Sequence, residues 1–132
     1  MKIVVNKCYG GFSLSPKCIE RYYKLKGMKC YHFSKDGGVY IPHDGDGLFI
    51  TSFSVPNPND FKQKELWDNY YLTNRPENRT CPLLIQAIEE IGEKESSGSC
   101  AALRIIEIPD GVDWELDEYD GIESVHEKHR SW

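Results

Sequence analysis

The stretch MKIVVNKCYGGFSLSPKCIERYYKLKG (Met1–Gly27) carries the strongest structural signals in this chain of 132 residues. Its apolar, β-branched beginning predicts a strand at Lys2–Asn6. Ser15 is a good N-cap and proline suits the first helical turn, so the sequence predicts a helix from about Pro16 to Lys26. The glycine that follows is a common helix stop. The segment therefore predicts a strand, a glycine loop and a helix in that order.

A strand that leads through a glycine loop into a helix N-terminus can bind an anion, because backbone N–H groups are unpaired there and the helix dipole is positive. Lys7 and Arg21 could add positive charge, while Tyr9 and Phe12 could stack on a nucleotide base. The alternative is a loop that only turns the chain, with both aromatic rings in the core. The candidate ligand-binding residues in this segment are Lys7, Tyr9, Gly10, Gly11, Phe12, Ser13, Ser15 and Arg21.

The composition is that of an ordinary folded protein, with 39% hydrophobic and 28% charged residues. The length suits a single domain spanning residues 1–132. No apolar run of about 18 residues predicts a membrane span, and the first residues lack the pattern of a signal peptide. The five cysteines form no CxxC pair and are expected to be reduced thiols. We therefore expect a cytoplasmic protein that makes no membrane contact.

The formal net charge of −5 argues against general binding to duplex DNA, which needs a basic surface. This average hides a strong division along the chain. Residues 1–35 contain eight Lys or Arg and a single acid, Glu20, for a net charge of +7, whereas the remainder carries −12. Such a division can steer charged partners, or the two parts can face each other and partly neutralise.

Hydrophobic patterning and turn residues predict the other elements. We predict strands at Lys29–Phe33, Val39–Ile41, Leu48–Val55, Leu103–Ile108 and Val112–Leu116, a helix at Pro82–Glu95 and a short C-terminal helix from Asp120 to about His129. The strands on either side of Pro109–Gly111 are expected to form a hairpin. The segment Asp60–Thr73 fits either a short helix or an aromatic loop. The predicted fold class is α+β, a mostly antiparallel sheet covered by two main helices.

Three acids at alternate positions, Asp113, Glu115 and Asp117, place their carboxylates on one face of a predicted strand. Such a row could hold Mg²⁺ for phosphate chemistry, or imitate a nucleic-acid backbone. The commoner explanation is a solvated strand face, with Trp114 and Leu116 buried on the other side.

The histidines near the C-terminus give only a weak metal signal. His126 and His129 are three residues apart and could share a metal on one helix face, but no third ligand has a suitable spacing. The sequence therefore predicts no metal site and no cofactor.

Three blocks of sequence resemble a family of small proteins found mainly in phages and prophages. They are VNKCYGGFSLS (Val5–Ser15), AIEEIGEKESSGSCAALRIIEIPDGVDWELDEYDGIE (Ala87–Glu123) and EKHRSW (Glu127–Trp132). The resemblance implies a phage setting and the host cytoplasm, without implying an activity. Because it covers both the glycine loop and Glu118–Glu123, we expect the two to meet in the fold, as a site or as a packed seam. Glu118 and Asp120 thereby join the candidate ligand-binding residues.

The sequence favours a non-enzymatic binding protein. In a phage setting this would be an inhibitor of host defence that sequesters a nucleotide signal, or another phosphate-bearing small molecule, or occludes a host defence protein. Small size, strong charge division and the lack of a recognisable catalytic set suit stoichiometric binding. One alternative is a small phosphate-handling enzyme that uses a divalent metal on the acidic strand face, and another is a structural or virion accessory protein. The sequence leaves a homo-oligomer open.

Overall fold

The computed structural model describes residues 1–45, 50–62, 64 and 76–128. Its strands are β1 (Lys2–Asn6), β2 (Tyr31–Asp36), β3 (Val39–His43), β4 (Thr51–Phe53), β5 (Leu103–Glu107), β6 (Trp114–Tyr119) and β7 (Ile122–Glu127). Its α-helices are α1 (Pro16–Leu25), α2 (Pro82–Ile91) and α3 (Glu93–Ser96), and single 3₁₀ turns lie at Pro58–Asp60 and Pro76–Asn78.

The strands pair in antiparallel fashion, and the predicted α+β class is confirmed. Within the described ranges they form three small sheets rather than one larger sheet: β1 pairs with β5, β2 lies between β3 and β4, and β6 pairs with β7. Because the sheets are separate, helices and side chains must pack between them to form a core.

Helix α1 forms where the sequence predicts it and ends at Leu25, one residue before the predicted end. The Ser15 hydroxyl accepts a hydrogen bond from the Cys18 N–H at 3.1 Å, which satisfies one of the unpaired N–H groups of the first turn. The buried face of α1 consists of Cys18, Ile19, Tyr22 and Tyr23. These side chains pack in the main core together with residues of α2.

Helix α2 begins at Pro82 as predicted, but it ends at Ile91 instead of continuing to Glu95. Gly92 has a φ of +100°, which an α-helix cannot accommodate, and the chain restarts after it as the short helix α3. The buried side chains of α2 are Leu84, Ile85, Ala87 and Ile88. None of the helices in the described part of the chain has the length and apolar character needed to cross a membrane.

The second core lies in the β3–β2–β4 sheet, where Phe33, Tyr40 and Phe53 pack together. Gly37 and Gly38 both have positive φ and make the two-residue turn that joins β2 to β3. The predicted Leu48–Val55 strand is shorter in the structure, where β4 spans Thr51–Phe53: Leu48 and Phe49 lie outside the described ranges, and the chain bends at Ser54 and Val55. Most of Asp60–Thr73 also lies outside them.

The predicted hairpin across Pro109–Gly111 is wrong. Strand β5 pairs instead with β1, in a register that places Val4 opposite Ile105, and β6 pairs with β7. Long-range pairing with the apolar β1 buries one face of β5 against the helices, which a local hairpin of β5 and β6 would not achieve.

The predicted C-terminal helix is also wrong, because Ile122–Glu127 is strand β7. Asp120 and Gly121 have φ values of +48° and +90°, so they form a two-residue hairpin turn rather than a helix N-terminus. In such a helix Glu123 would complete a capping box with Asp120, but its carboxylate is buried and bound to Arg79 instead. His129 lies outside the described residues.

A buried ion pair joins Arg79 to Glu123. The Arg79 side chain is 2% exposed and that of Glu123 6%. Two guanidinium nitrogens donate to the two carboxylate oxygens, at 2.5 and 2.8 Å. This two-point geometry gives the pair both strength and a fixed orientation.

The same two residues, through the Arg79 backbone carbonyl and both side chains, cover the edge of β1 that β5 does not pair. The Val4 N–H donates to the Arg79 carbonyl at 3.0 Å, and the Val4 carbonyl accepts from the Arg79 guanidinium. Further along β1, the Asn6 N–H donates to the Glu123 carboxylate at 2.8 Å. The Arg79–Glu123 ion pair therefore replaces a neighbouring strand and attaches the β6–β7 hairpin to β1.

Glu123→Gln should lower the free energy of unfolding by roughly 3–5 kcal/mol, because it leaves the buried guanidinium without a compensating charge. Urea denaturation followed by circular dichroism would measure the change. Glu89→Gln is the matched control, since Glu89 pairs with Lys2 on the surface, where the loss of an ion pair costs little stability. Equal losses in the two variants would contradict the structural role of the buried pair.

Candidate functional site

The glycine loop and the β6–β7 turn meet, and between them lies a shallow cleft of about 500 Å³. We call it the tip cleft; it is lined by Tyr9, Gly10, Gly11, Glu118, Asp120 and Gly121. A Cβ atom on Gly121 would lie 2.4 Å from the Gly11 nitrogen and 2.6 Å from the Tyr9 carbonyl oxygen. Only glycine permits so close an approach of the two backbones.

The buried side chain of Asn6 links the glycine loop to the β6–β7 turn. Its side-chain amide donates to the carbonyl oxygens of Cys8 and Gly121, at 2.7 and 2.6 Å. Its side-chain oxygen accepts from the N–H groups of Cys8 and Ala102. Because every polar atom of this buried amide is used, the loop and the hairpin turn have one defined arrangement.

The charges at the tip cleft do not suit an anion. Among the described residues, its lining brings two carboxylates, Glu118 and Asp120, beside the glycine loop and includes no lysine or arginine. The nearby Lys7 ammonium donates to the Glu123 carbonyl oxygen at 2.7 Å instead of facing the cleft lining. A cationic or neutral partner is electrostatically favoured here over a phosphate.

Other predicted site residues have structural partners. Phe12 is buried beneath the Arg79 guanidinium, which lies 3.6 Å from the ring centroid. The Ser13 carbonyl accepts from the Gly98 N–H. Arg21 donates to Glu90 of α2 at 2.5 Å, and this hydrogen bond lowers the pKa of the Glu90 carboxyl below its ordinary value. The residues of the predicted anion site are therefore divided. The glycine loop and the N-terminus of α1 face different surfaces.

The N-terminus of α1 borders a second cleft, of about 470 Å³, which we call the helix cleft. It is lined by Ser15, Pro16, Lys17, Glu20, His32, Asp44, Gly45, Lys94, Glu95 and Ser97. Both lysines are exposed, and neither forms an ion pair with a residue in the described ranges. The first turn of α1 contains no acidic residue, so no side chain of that turn offsets the positive dipole end of the helix.

A hydrogen-bonded chain of Ser52, His32 and Glu20 ends in the helix cleft. His32 Nδ1 lies 2.6 Å from the Ser52 hydroxyl, and its Nε2 lies 3.2 Å from the Glu20 carboxylate. The sequence did not predict this series of hydrogen bonds. Its three residues lie on β4, β2 and α1, and no regular spacing along the sequence relates them. Although the residue types match a hydrolytic triad, Ser52 is fully buried, so its hydroxyl cannot reach a substrate in this arrangement.

On the β6–β7 hairpin, the acidic strand face is exposed as the sequence predicts, and Trp114 and Leu116 on the other face are half-buried. His126 lies opposite Glu115 in the register and contacts both Glu115, at 2.6 Å, and Asp117, at 3.2 Å. Within residues 1–45, 50–62, 64 and 76–128, no three His, Cys, Asp or Glu side chains are arranged to hold a metal ion.

No family model, curated protein or solved structure matches this chain.

Gly121→Ala should destabilise the fold and distort the tip cleft, because the added methyl group meets the backbone of the glycine loop. Gly111→Ala is the control: Gly111 also has positive φ, at +78°, but a Cβ there meets nothing within 4 Å. We expect Gly111→Ala to cost about 1 kcal/mol from strain and Gly121→Ala a further 1–3 kcal/mol, roughly, from overpacking. Urea unfolding and the amide NMR shifts of Tyr9–Gly11 would measure the two effects; similar values for both variants would contradict the close contact.

Proposed function

We propose that this chain is a phage-type, non-enzymatic binding protein that inhibits host defence by sequestering a nucleotide signal in the helix cleft. The observation that carries the proposal is the composition of that cleft. It combines the N-terminus of a ten-residue helix and two lysines with several carboxylates, in a volume of about 470 Å³. Small-molecule sites commonly enclose about 300–1,000 Å³.

A nucleotide carries two kinds of polar group, and the helix cleft offers a partner for each. Its phosphates are suited to the first turn of α1 and to the ammonium groups of Lys17 and Lys94. Its ribose hydroxyls and base amino groups are hydrogen-bond donors, which the carboxylates of Asp44 and Glu95 can accept. A purely anionic ligand such as sulfate would meet the same carboxylates without any compensating bond.

The sequence blocks Val5–Ser15, Ala87–Glu123 and Glu127–Trp132 support the phage setting, in which the protein would act in the cytoplasm of the host. A phage inhibitor of this kind works by stoichiometric capture, for which a rigid fold with a preformed cleft is sufficient.

The first test is calorimetric titration of the purified protein with mono-, di- and cyclic nucleotides. We expect at least one nucleotide to bind, and Lys17→Gln combined with Lys94→Gln to weaken it by about tenfold or more, since each charged hydrogen bond contributes roughly 1.5–3 kcal/mol. Lys24→Gln combined with Lys29→Gln is the matched control, because it removes the same charge from exposed residues outside the cleft lining. No binding by any nucleotide, or equal losses in the two double variants, would remove the helix cleft from consideration.

A second function, occlusion of a host defence protein, is favoured by the surface around the tip cleft. Tyr9 is 71% exposed and Tyr119, beside the hairpin turn, is 77% exposed. Exposed tyrosines on a rigid platform are typical of protein interfaces, and the neighbouring carboxylates of Glu118 and Asp120 would favour a basic partner surface.

A photo-crosslinking amino acid at position 9 or 119 would test this second function in host cells. If the tip is an interface, both positions should capture the same host protein, and Tyr9→Ala should weaken binding of that purified protein by roughly tenfold or more. Position 28 serves as the control, because Met28 is an exposed apolar residue elsewhere on the chain. Capture from position 28 to the same extent would show that the tip has no special role.

A further inference from the structure

We propose that His32 is the specificity-determining donor of the helix cleft, and that the Glu20 carboxylate and the buried hydroxyl of Ser52 together fix its tautomer so that Nε2–H faces the ligand. This inference rests on the proposed nucleotide site, since it assigns a role to a residue in the same cleft. Ser52 is a positioning residue: it does not contact the ligand and acts only by orienting His32.

The hydrogen-bond partners of the imidazole determine where its proton lies. Glu20 faces Nε2 with a carboxylate, which only accepts hydrogen bonds when ionised. A neutral His32 must therefore carry its proton on Nε2, which leaves Nδ1 as an acceptor for the Ser52 O–H at 2.6 Å. The ring thus presents an N–H donor toward the cleft side.

The hydroxyl proton of Ser52 is available for this bond. The neighbouring Cys30 thiol interacts with Ser52, and burial together with Glu20 raises the pKa of that thiol to about 12. Cys30 therefore stays protonated near neutral pH, and its S–H can donate to the Ser52 oxygen rather than take the hydroxyl proton.

Gly45 holds the ring from another side. A Cβ atom at Gly45 would lie 2.6 Å from His32 Cδ2, so the backbone of this residue packs directly on the imidazole. The Gly45 N–H in turn donates to His43 Nδ1 at 3.1 Å, which anchors the loop after β3. Within the described ranges, the His32 ring contacts Ser52 on β4, Gly45 after β3 and Glu20 on α1, while Asp44 and Lys17 line the same cleft.

Glu20 is the group that a ligand would displace. The His32 side chain is only 9% exposed and is fixed on two sides, whereas the Glu20 side chain is 61% exposed. A phosphate oxygen could take the Nε2–H donor in place of the Glu20 carboxylate, which would turn toward solvent. Since the donor is already oriented before binding, the ligand gains the bond with little ordering cost.

Long-range ¹H–¹⁵N NMR spectra of the histidine side chains test the tautomer without any ligand. We expect the Nε2–H tautomer for His32, identified by the loss of its signals in His32→Gln. Ser52→Ala should convert His32 to a mixture of tautomers, whereas Ser54→Ala, on the neighbouring and partly exposed serine, should not. A wild-type Nδ1–H tautomer, or an unchanged signal in Ser52→Ala, would overturn the positioning role of Ser52.

Calorimetry tests the donor role, with adenosine diphosphate as the probe and inorganic phosphate as a purely anionic comparison that should bind more weakly. We expect binding to weaken about tenfold in His32→Gln and in Ser52→Ala, consistent with the loss of one charged hydrogen bond, and to be unchanged in Ser54→Ala. Glu20→Ala removes an exposed side chain and should preserve the fold; it should tighten binding several-fold, because it removes the competing carboxylate.

These outcomes separate the two proposals. If the wild-type protein binds neither probe, the nucleotide site and the donor role of His32 fall together. If it binds them but His32→Gln and Ser52→Ala bind as tightly, the site stands and the inference about His32 is overturned. Weaker binding in Glu20→Ala would overturn the displacement of Glu20.

Discussion

The Arg79–Glu123 ion pair is the interaction on which the rest of this structure depends. Two charged groups are removed from water almost completely, and their mutual hydrogen bonds offset a desolvation cost of several kcal/mol for each ion. The pair also supplies the hydrogen bonds that the second edge of β1 would otherwise obtain from another strand. A β-edge cannot be buried without such partners, so the ion pair allows the β6–β7 hairpin to cover the second edge of β1.

The position of the β6–β7 hairpin has a direct consequence for the surface. Once Glu123 is bound to Arg79, the Asp120–Gly121 turn lies on the glycine loop, and its acidic residues line the tip cleft. The basic residues that could bind an anion remain around α1, on the helix cleft. The charge division seen along the sequence therefore becomes a division between two clefts, one acidic and aromatic, the other of mixed charge.

Sequence patterns within a few residues correctly predicted the elements that are stabilised by interactions between near neighbours in the sequence. The Ser15 cap and the proline in the first turn of α1 act within a few residues, and the helix that they predict is confirmed. The predictions failed where a distant partner outweighed the local preference. Asp120–Glu123 resembles a capping box, but the Glu123 carboxylate is better satisfied by the buried guanidinium than by a helix N-terminus.

By itself the sequence determined the α+β class and the places of α1 and α2. Its resemblance to phage proteins also led us to expect that the glycine loop meets the Glu118–Glu123 stretch. Only the tertiary structure decided that Lys7, Phe12 and Arg21 have structural partners, and that Ser52, His32 and Glu20 form a chain. The reason is physical: periodicity and capping depend on neighbours along the chain, whereas the partner of a buried polar group is chosen by packing between elements far apart in sequence.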